Sequence, residues 1–233
     1  MAWFLPAYNE ADNLPLVVNE IHSYLKSLGC RFTIIIVNDG SSDNSADVVE
    51  RLSADYPAIR VINHPKNRGY GAALRTGLQE ALNTGHQLIG FCDADGQFSI
   101  DSLAPMLEAI KRADAVLGVR AKRADNLKRR LMGRGWHYVS SVMLNYHAQD
   151  VDCGFKLFRR KLVLEVLPRL NGEYATISPE IIARAEHGGF TIAESLVEHH
   201  PRQLGKQTGS NLRVVIGSFV SLWQLRQLLR KEV

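Results

Sequence analysis

Leu88-Ile89-Gly90-Phe91-Cys92-Asp93-Ala94-Asp95-Gly96-Gln97 is an apolar run that stops on two carboxylates. The apolar half predicts a short strand buried on both faces. Asp93 and Asp95 then stand at the strand end, with the amide oxygen of Gln97 two residues further on. Carboxylates leaving water cost free energy unless a positive charge meets them. Mg²⁺ or Mn²⁺ suits this set, because both take oxygen ligands and share them with substrate phosphates. Asp-x-Asp alone is also the pattern of a solvated turn or a helix cap, so the surrounding chain decides its meaning.

Upstream, strands and helices alternate. Ala2-Trp3-Phe4-Leu5 reads as a strand, and Leu14, Val17, Val18, Ile21 and Leu25 recur at helical spacing. Phe32 to Val37 is a β-branched run ending in Asn38-Asp39-Gly40-Ser41-Ser42-Asp43, and Arg60-Val61-Ile62 is a third strand. Leu74, Leu78 and Leu82 mark the helix before Leu88. Downstream, Leu103, Met106, Leu107 and Ile110 form a helix face, and Ala115 to Val119 another strand. Repeated βα units predict an α/β fold with a mainly parallel central sheet flanked by helices. Ligands of such sheets bind outside the carboxyl ends of the strands. Those ends carry Tyr8-Asn9-Glu10, Asp39 and Asp93/Asp95.

Beyond Val119 the pattern changes. Arg120 to Arg134 is strongly basic and leads into Trp136, Tyr138, Val139, Val142, Met143, Leu144 and Tyr146, as in an interfacial helix or a core helix with a solvated basic entry. Asp152 to Phe158 reads as a compact segment, 179–187 as a helix and Phe190 to Ala193 as a strand. The tail 211–233 is apolar at first and becomes amphipathic where Arg226, Arg230 and Lys231 enter. It could dock on the domain, dimerise or lie at a membrane surface. One domain over 1–210 with a C-terminal helical extension over 211–233 is expected.

The 233 residues are 45% hydrophobic and 22% charged, which excludes a disordered chain. A net charge of +4 favours an anionic partner. Cys30, Cys92 and Cys153 are too few and too scattered for a disulfide framework or a zinc site, which points to a reducing compartment. No secretory signal is recognisable after Met1. No window reaches the roughly twenty apolar residues that span a bilayer.

Four motifs follow one another in order: Pro6-Ala7-Tyr8-Asn9-Glu10, Val37 to Asp43, Asn67-Arg68-Gly69-Tyr70-Gly71-Ala72-Ala73 and Asp93 to Gln97. This series resembles the family 2 inverting glycosyltransferases of GT-A fold. The closer resemblance is to the polyprenyl-phosphate sugar transferases of the dolichol-phosphate mannose synthase type. Val151-Asp152-Cys153-Gly154-Phe155-Lys156 and His200-Pro201-Arg202-Gln203-Leu204-Gly205-Lys206 look like two further blocks of that group. The resemblance implies that Asp95 and Gln97 hold Mg²⁺ or Mn²⁺, and that Asp93 touches the ribose and helps the metal. It implies that Tyr8, Glu10 and Asp39 hold the base and ribose, with Pro6 shaping the first loop. Read alone, Asp39 could instead cap the next helix, and Glu10 could be an acid in a first helical turn.

The expected reaction moves a hexose from a UDP- or GDP-sugar to a dolichyl or undecaprenyl phosphate at the cytoplasmic membrane face, with peripheral membrane contact and no nucleic acid. A phosphate acceptor needs cations rather than a base, since it is largely ionised at neutral pH. By resemblance Arg120, Arg202 and Lys206 supply them and, with Asp95, make up the catalytic set. Two alternatives stand beside this reading: a hydroxyl acceptor with Asp152 or Glu180 as base, and a non-catalytic nucleotide- or membrane-binding protein.

Overall fold

The computed structural model describes residues 1–121, 127–171, 176–204 and 212–232. The first half is built from β1 (Ala2–Ala7), α1 (Leu14–Ser27), β2 (Thr33–Asn38), α2 (Ser45–Asp55), β3 (Ile59–Asn63), α3 (Tyr70–Asn83) and β4 (Leu88–Cys92). A short 3-10 turn, α4 (Leu103–Ala109), β5 (Ala115–Arg120) and α5 (Leu127–Leu144) follow. Then come β6 (Phe155–Arg159), α6 (Arg160–Val166), α7 (Ile177–His187), β7 (Ile192–Val197) and α8 (Leu212–Glu232).

The strands form one sheet in the order β3-β2-β1-β4-β6-β5-β7. β1, β2, β3 and β4 are parallel, as are β5 and β7, while β6 runs antiparallel between β4 and β5. Successive strand side chains point to opposite faces, so each strand feeds two cores. Trp3, Leu5, Ile34 and Ile36 pack with α1, α2 and α4 on one face. Phe4, Ile35, Val37, Phe91 and Leu117 pack with residues of α3, α6, α7 and α8 on the other. The Phe4 and Phe91 rings stack at 4.9 Å across adjacent strands. The tail docks in that second core through Leu222, Leu225 and Leu229.

Two expectations change. The compact segment is the strand β6, whose second residue, Lys156, hides it from an apolar pattern. Being antiparallel, β6 starts where β4 ends, with Cys92 opposite Phe155, and this carries Asp152 to Gly154 to the carboxyl ends of the parallel strands. The last strand runs on to Val197, so the chain after it, 198–204, returns to that same edge. The order in which strands are added reverses between β1, which leads outward to β2 and β3, and β4, on its other side. That crevice is where ligands of open α/β sheets bind.

Candidate functional site

The loop after β1 carries Tyr8, Asn9 and Glu10. Asn9 adopts a left-handed backbone, φ 57°, which asparagine tolerates better than most residues. Its amide donates to Ser41 Oγ at 2.9 Å, and its Oδ1 accepts from the Ser42 amide at 2.8 Å. The Glu10 amide donates to Ser45 Oγ at 3.0 Å, and the Ala11 amide to Asp43 at 3.2 Å. The serine-rich turn after β2 therefore staples the first loop in place. Pro6 is buried in β1, and Tyr8 is half-buried at its end.

Asp39 gathers a second loop. Its carboxylate accepts from the Arg68 amide at 3.0 Å, the Gly69 amide at 2.8 Å and His64 Nδ1 at 2.5 Å. His64 Nε2 faces Thr76 Oγ1 at 2.9 Å. Gly40 has φ +63°, and a Cβ there would lie 2.2 Å from the Lys66 carbonyl carbon, so only glycine lets the loop close. Both Asp39 oxygens are thus engaged with protein, an arrangement that shapes the entry to α3. His64, missed in the sequence, is part of it; a histidine 25 residues downstream of its partner carries no local signal.

Asp93 and Asp95 follow β4 as expected. The Asp93 amide donates to Gly154 O at 3.0 Å. Its Oδ1 accepts from the Tyr70 hydroxyl at 2.9 Å. Burial, and next the charge of Asp95, raise the Asp93 carboxyl to about 7. Asp95 Oδ1 accepts from the Gln97 amide at 3.1 Å. Its other oxygen lies 3.7 Å from Arg202. Gln97 Nε2 donates to His200 O at 3.0 Å, and the His200 amide donates to Gln97 O at 2.7 Å.

The late block meets the first loop here. Arg202 Nη2 contacts both oxygens of Glu10 at 2.7 Å, and its Nε donates to Leu204 O. Asn13 also donates to Glu10 at 2.7 Å. Burial raises the Glu10 carboxyl, and the Arg202 and Asn13 hydrogen bonds oppose that shift. Arg202 thus bridges two carboxylates, Glu10 and Asp95, that were expected on the donor. Arg120, at the end of β5, forms a fork with Asp150, Nε and Nη2 each 2.7 Å from an oxygen. Lys206 lies outside the described residues.

Asp152 is half-buried in the loop before β6. Glu180 is not placed as a base. Its side chain is 0% exposed, it pairs with the 4% exposed Arg184 at 2.8 Å, and it accepts from the Asn171 amide. A base must reach its acceptor, and this carboxylate is enclosed in the α7 layer. Lys156 is fully buried with its ammonium on Cys153 O, and burial lowers its pKa.

Asp93, Asp95 and Gln97 suit Mg²⁺ or Mn²⁺. All offer hard oxygens, and Asp95 already faces a cation. Among the described residues no three His, Cys, Asp or Glu side chains converge as a self-sufficient metal site.

Comparison with known proteins identifies the family and the fold. The family profile described as Glycosyl transferase family 2 matches residues 2–167. A dolichyl-phosphate beta-glucosyltransferase of Trichomonas vaginalis is 33% identical over 211 residues, 83% of this chain and 62% of its own length. The chain therefore spans under two thirds of that relative. A polyprenol monophosphomannose synthase of Mycolicibacterium smegmatis is 27% identical, covering 95% of this chain and 86% of its own. Glucosyl-3-phosphoglycerate synthase from Mycobacterium tuberculosis, solved with UDP, superposes with TM-score 0.71 at 17% identity, over 97% of this chain and 79% of that one. It has also been solved with Mn²⁺ and with Mg²⁺. The shared fold is of the GT-A type.

Proposed function

Since the chain belongs to glycosyl transferase family 2, we propose that it moves a hexose from a UDP- or GDP-sugar to a polyprenyl phosphate with Mg²⁺ or Mn²⁺. The observation that carries this is the position of Arg202 between Glu10 and Asp95 at the β1/β4 crevice, with Gln97 joined to His200 just before it. The relatives named for dolichyl and polyprenol phosphates supply the acceptor class.

In this reading an acceptor phosphate oxygen attacks the anomeric carbon, and the bond from that carbon to the β-phosphate oxygen breaks on the opposite face. The sugar inverts and the nucleoside diphosphate leaves with the electron pair. No base is required, because the acceptor arrives ionised. A bound metal would neutralise charge growing on the leaving diphosphate. Asp93, Asp95 and Gln97 would hold it, Asp93 would also meet the ribose, and Tyr8 and Glu10 would line the nucleotide side. Asp39 would act on the base and ribose through the loop it holds. Arg202, held by Glu10 and Asp95, would supply positive charge to the acceptor phosphate, with Arg120 and Lys206 as the other cations of the proposed set.

A lipid acceptor calls for membrane contact. Among the described residues no helix is long and apolar enough to cross a membrane. Tyr138 and Val142 on α5, and Val220 and Trp223 on α8, are nonetheless exposed, Trp223 by 59%. Arg226 and Arg230 lie on the same tail helix. Exposed aromatic and aliphatic groups with basic neighbours suit an anionic membrane surface, here the cytoplasmic face.

The test is incubation with Mn²⁺, labelled UDP- and GDP-hexoses and a polyprenyl phosphate in liposomes. Labelled lipid, abolished by a chelator, is expected; its absence with every donor overturns the reading. If Asp152→Asn abolishes transfer and Arg202→Ala barely alters it, a hydroxyl acceptor replaces the lipid.

The metal also competes with a proton for the raised Asp93 carboxyl. Mn²⁺ affinity is expected to fall roughly tenfold per pH unit below about 7. The stability sign follows. A raised carboxyl binds its proton more tightly folded than unfolded, so it stabilises the metal-free fold at low pH. That contribution is lost as pH rises from 3.8 through about 7. Mn²⁺ then offsets the loss, so its thermal stabilisation grows with pH. Mn²⁺ resonance titrations and melting curves on both sides of neutrality check this, and an affinity independent of pH contradicts it.

A further inference from the structure

We propose that Tyr70 is a positioning residue that orients the Asp93 carboxylate toward the metal–diphosphate, so that Asp39 and Asp93 act as parts of one construction. The inference rests on the donor reading above. Neither the phenol nor its link to Asp39 was assigned a role by the motif.

The Tyr70 hydroxyl donates to Asp93 Oδ1 at 2.9 Å. The carboxylate lies over Gly154: a Cβ at that residue would fall 2.0 Å from Oδ2, 2.4 Å from Cγ and 2.8 Å from Oδ1. The Asp93 amide is tied to Gly154 O at 3.0 Å. One oxygen is therefore claimed by the phenol, and the plane of the carboxylate rests on bare backbone. The group can meet a ligand in few orientations.

The phenol is itself held. Tyr70 is the first residue of α3, and its ring packs against the core shared by α3 and the sheet. The amides of Arg68 and Gly69, immediately before it, both donate to Asp39. Asp39 thus sets where α3 begins, α3 sets where the phenol stands, and the phenol sets the outer-sphere hydrogen bond of Asp93. Groups that hydrogen-bond a metal-ligating carboxylate typically change metal affinity or activity by about 10- to 100-fold when removed.

Tyr70→Phe keeps the ring and deletes one hydroxyl, so the fold should survive. Manganese binding in the presence of UDP, and separately of GDP, is measured by calorimetry and by Mn²⁺ resonance. The dissociation constant is expected to rise about 10- to 100-fold. Transfer should recover at high Mn²⁺, with kcat near that of the unaltered protein and the Mn²⁺ requirement shifted. A purely structural tyrosine would lower the melting temperature and leave the Mn²⁺ titration where it was; that result overturns the proposal while the donor reading stands. If the unaltered protein binds no Mn²⁺ with either nucleotide, the donor reading falls and the proposal with it.

Discussion

Asp95→Ala is expected to lower sugar transfer by about 10³-fold, the upper range for removing one group that stabilises transition-state charge, while barely altering the fold. The carboxylate is near the surface of the crevice, accepts a local hydrogen bond from the Gln97 amide and faces Arg202 at 3.7 Å. Losing the local bond costs about 1 kcal/mol. In the proposed mechanism, losing the oxygen that would neutralise the departing diphosphate through a metal costs about 3–4 kcal/mol in the transition state. The two effects separate in one experiment. Single-turnover transfer should collapse at saturating donor, while the melting temperature moves by only a few degrees. Full activity in this variant would remove Asp95 from the mechanism, and a collapse of both quantities would make it a structural residue.

Glu180→Ala should do the reverse. Glu180 and Arg184 form an ion pair inside the α7 layer, and the Asn171 amide also donates to Glu180. Removing one member of a buried pair takes from the other its opposite charge, a loss of about 3–5 kcal/mol. For a domain of this size that is a melting-temperature drop of about 10 °C. Transfer per folded molecule should stay within a factor of about three at a permissive temperature, because truncation away from the reacting groups leaves the transition-state contacts intact. Exchanging both residues for apolar ones of similar volume should restore most of the stability, since such replacements of buried pairs are often neutral or better. Loss of activity without loss of stability would return Glu180 to the role of base.

The two carboxylates illustrate what was legible in the sequence. Asp95 follows an apolar run and precedes a glycine and an amide, a local pattern that a strand end imposes. Glu180 follows a proline at a helix start, which looks the same whether the helix lies at the surface or, as here, inside. Long-range partners were the harder part. In the Ser41-Ser42-Asp43 turn, Asp43 Oδ1 accepts from the Ser45 amide at the start of α2, while its Oδ2 and the Ser41 and Ser42 hydroxyls meet the loop after β1. A hydroxyl near a helix start satisfies either set of amides equally well, and only the approach of β1 to β2 selects between them. His64, Tyr70 and Asp150 carried no signal because their partners, Asp39, Asp93 and Arg120, lie 23 to 30 residues away.

Local chemistry by itself determined the class of fold, the strand ends that carry polar groups and the oxygen set suited to a divalent ion. Apolar periodicity and short motifs are properties of neighbouring residues, and a linear chain displays them. Tertiary structure alone decided that β6 runs antiparallel and brings Gly154 beneath Asp93. It alone set Arg202 between Glu10 and Asp95, matched Arg120 with Asp150 and closed the path from Asp39 through Tyr70 to Asp93. Those arrangements depend on which strand lies beside which, and on charges finding partners as water is excluded, so they exist only once the sheet has assembled.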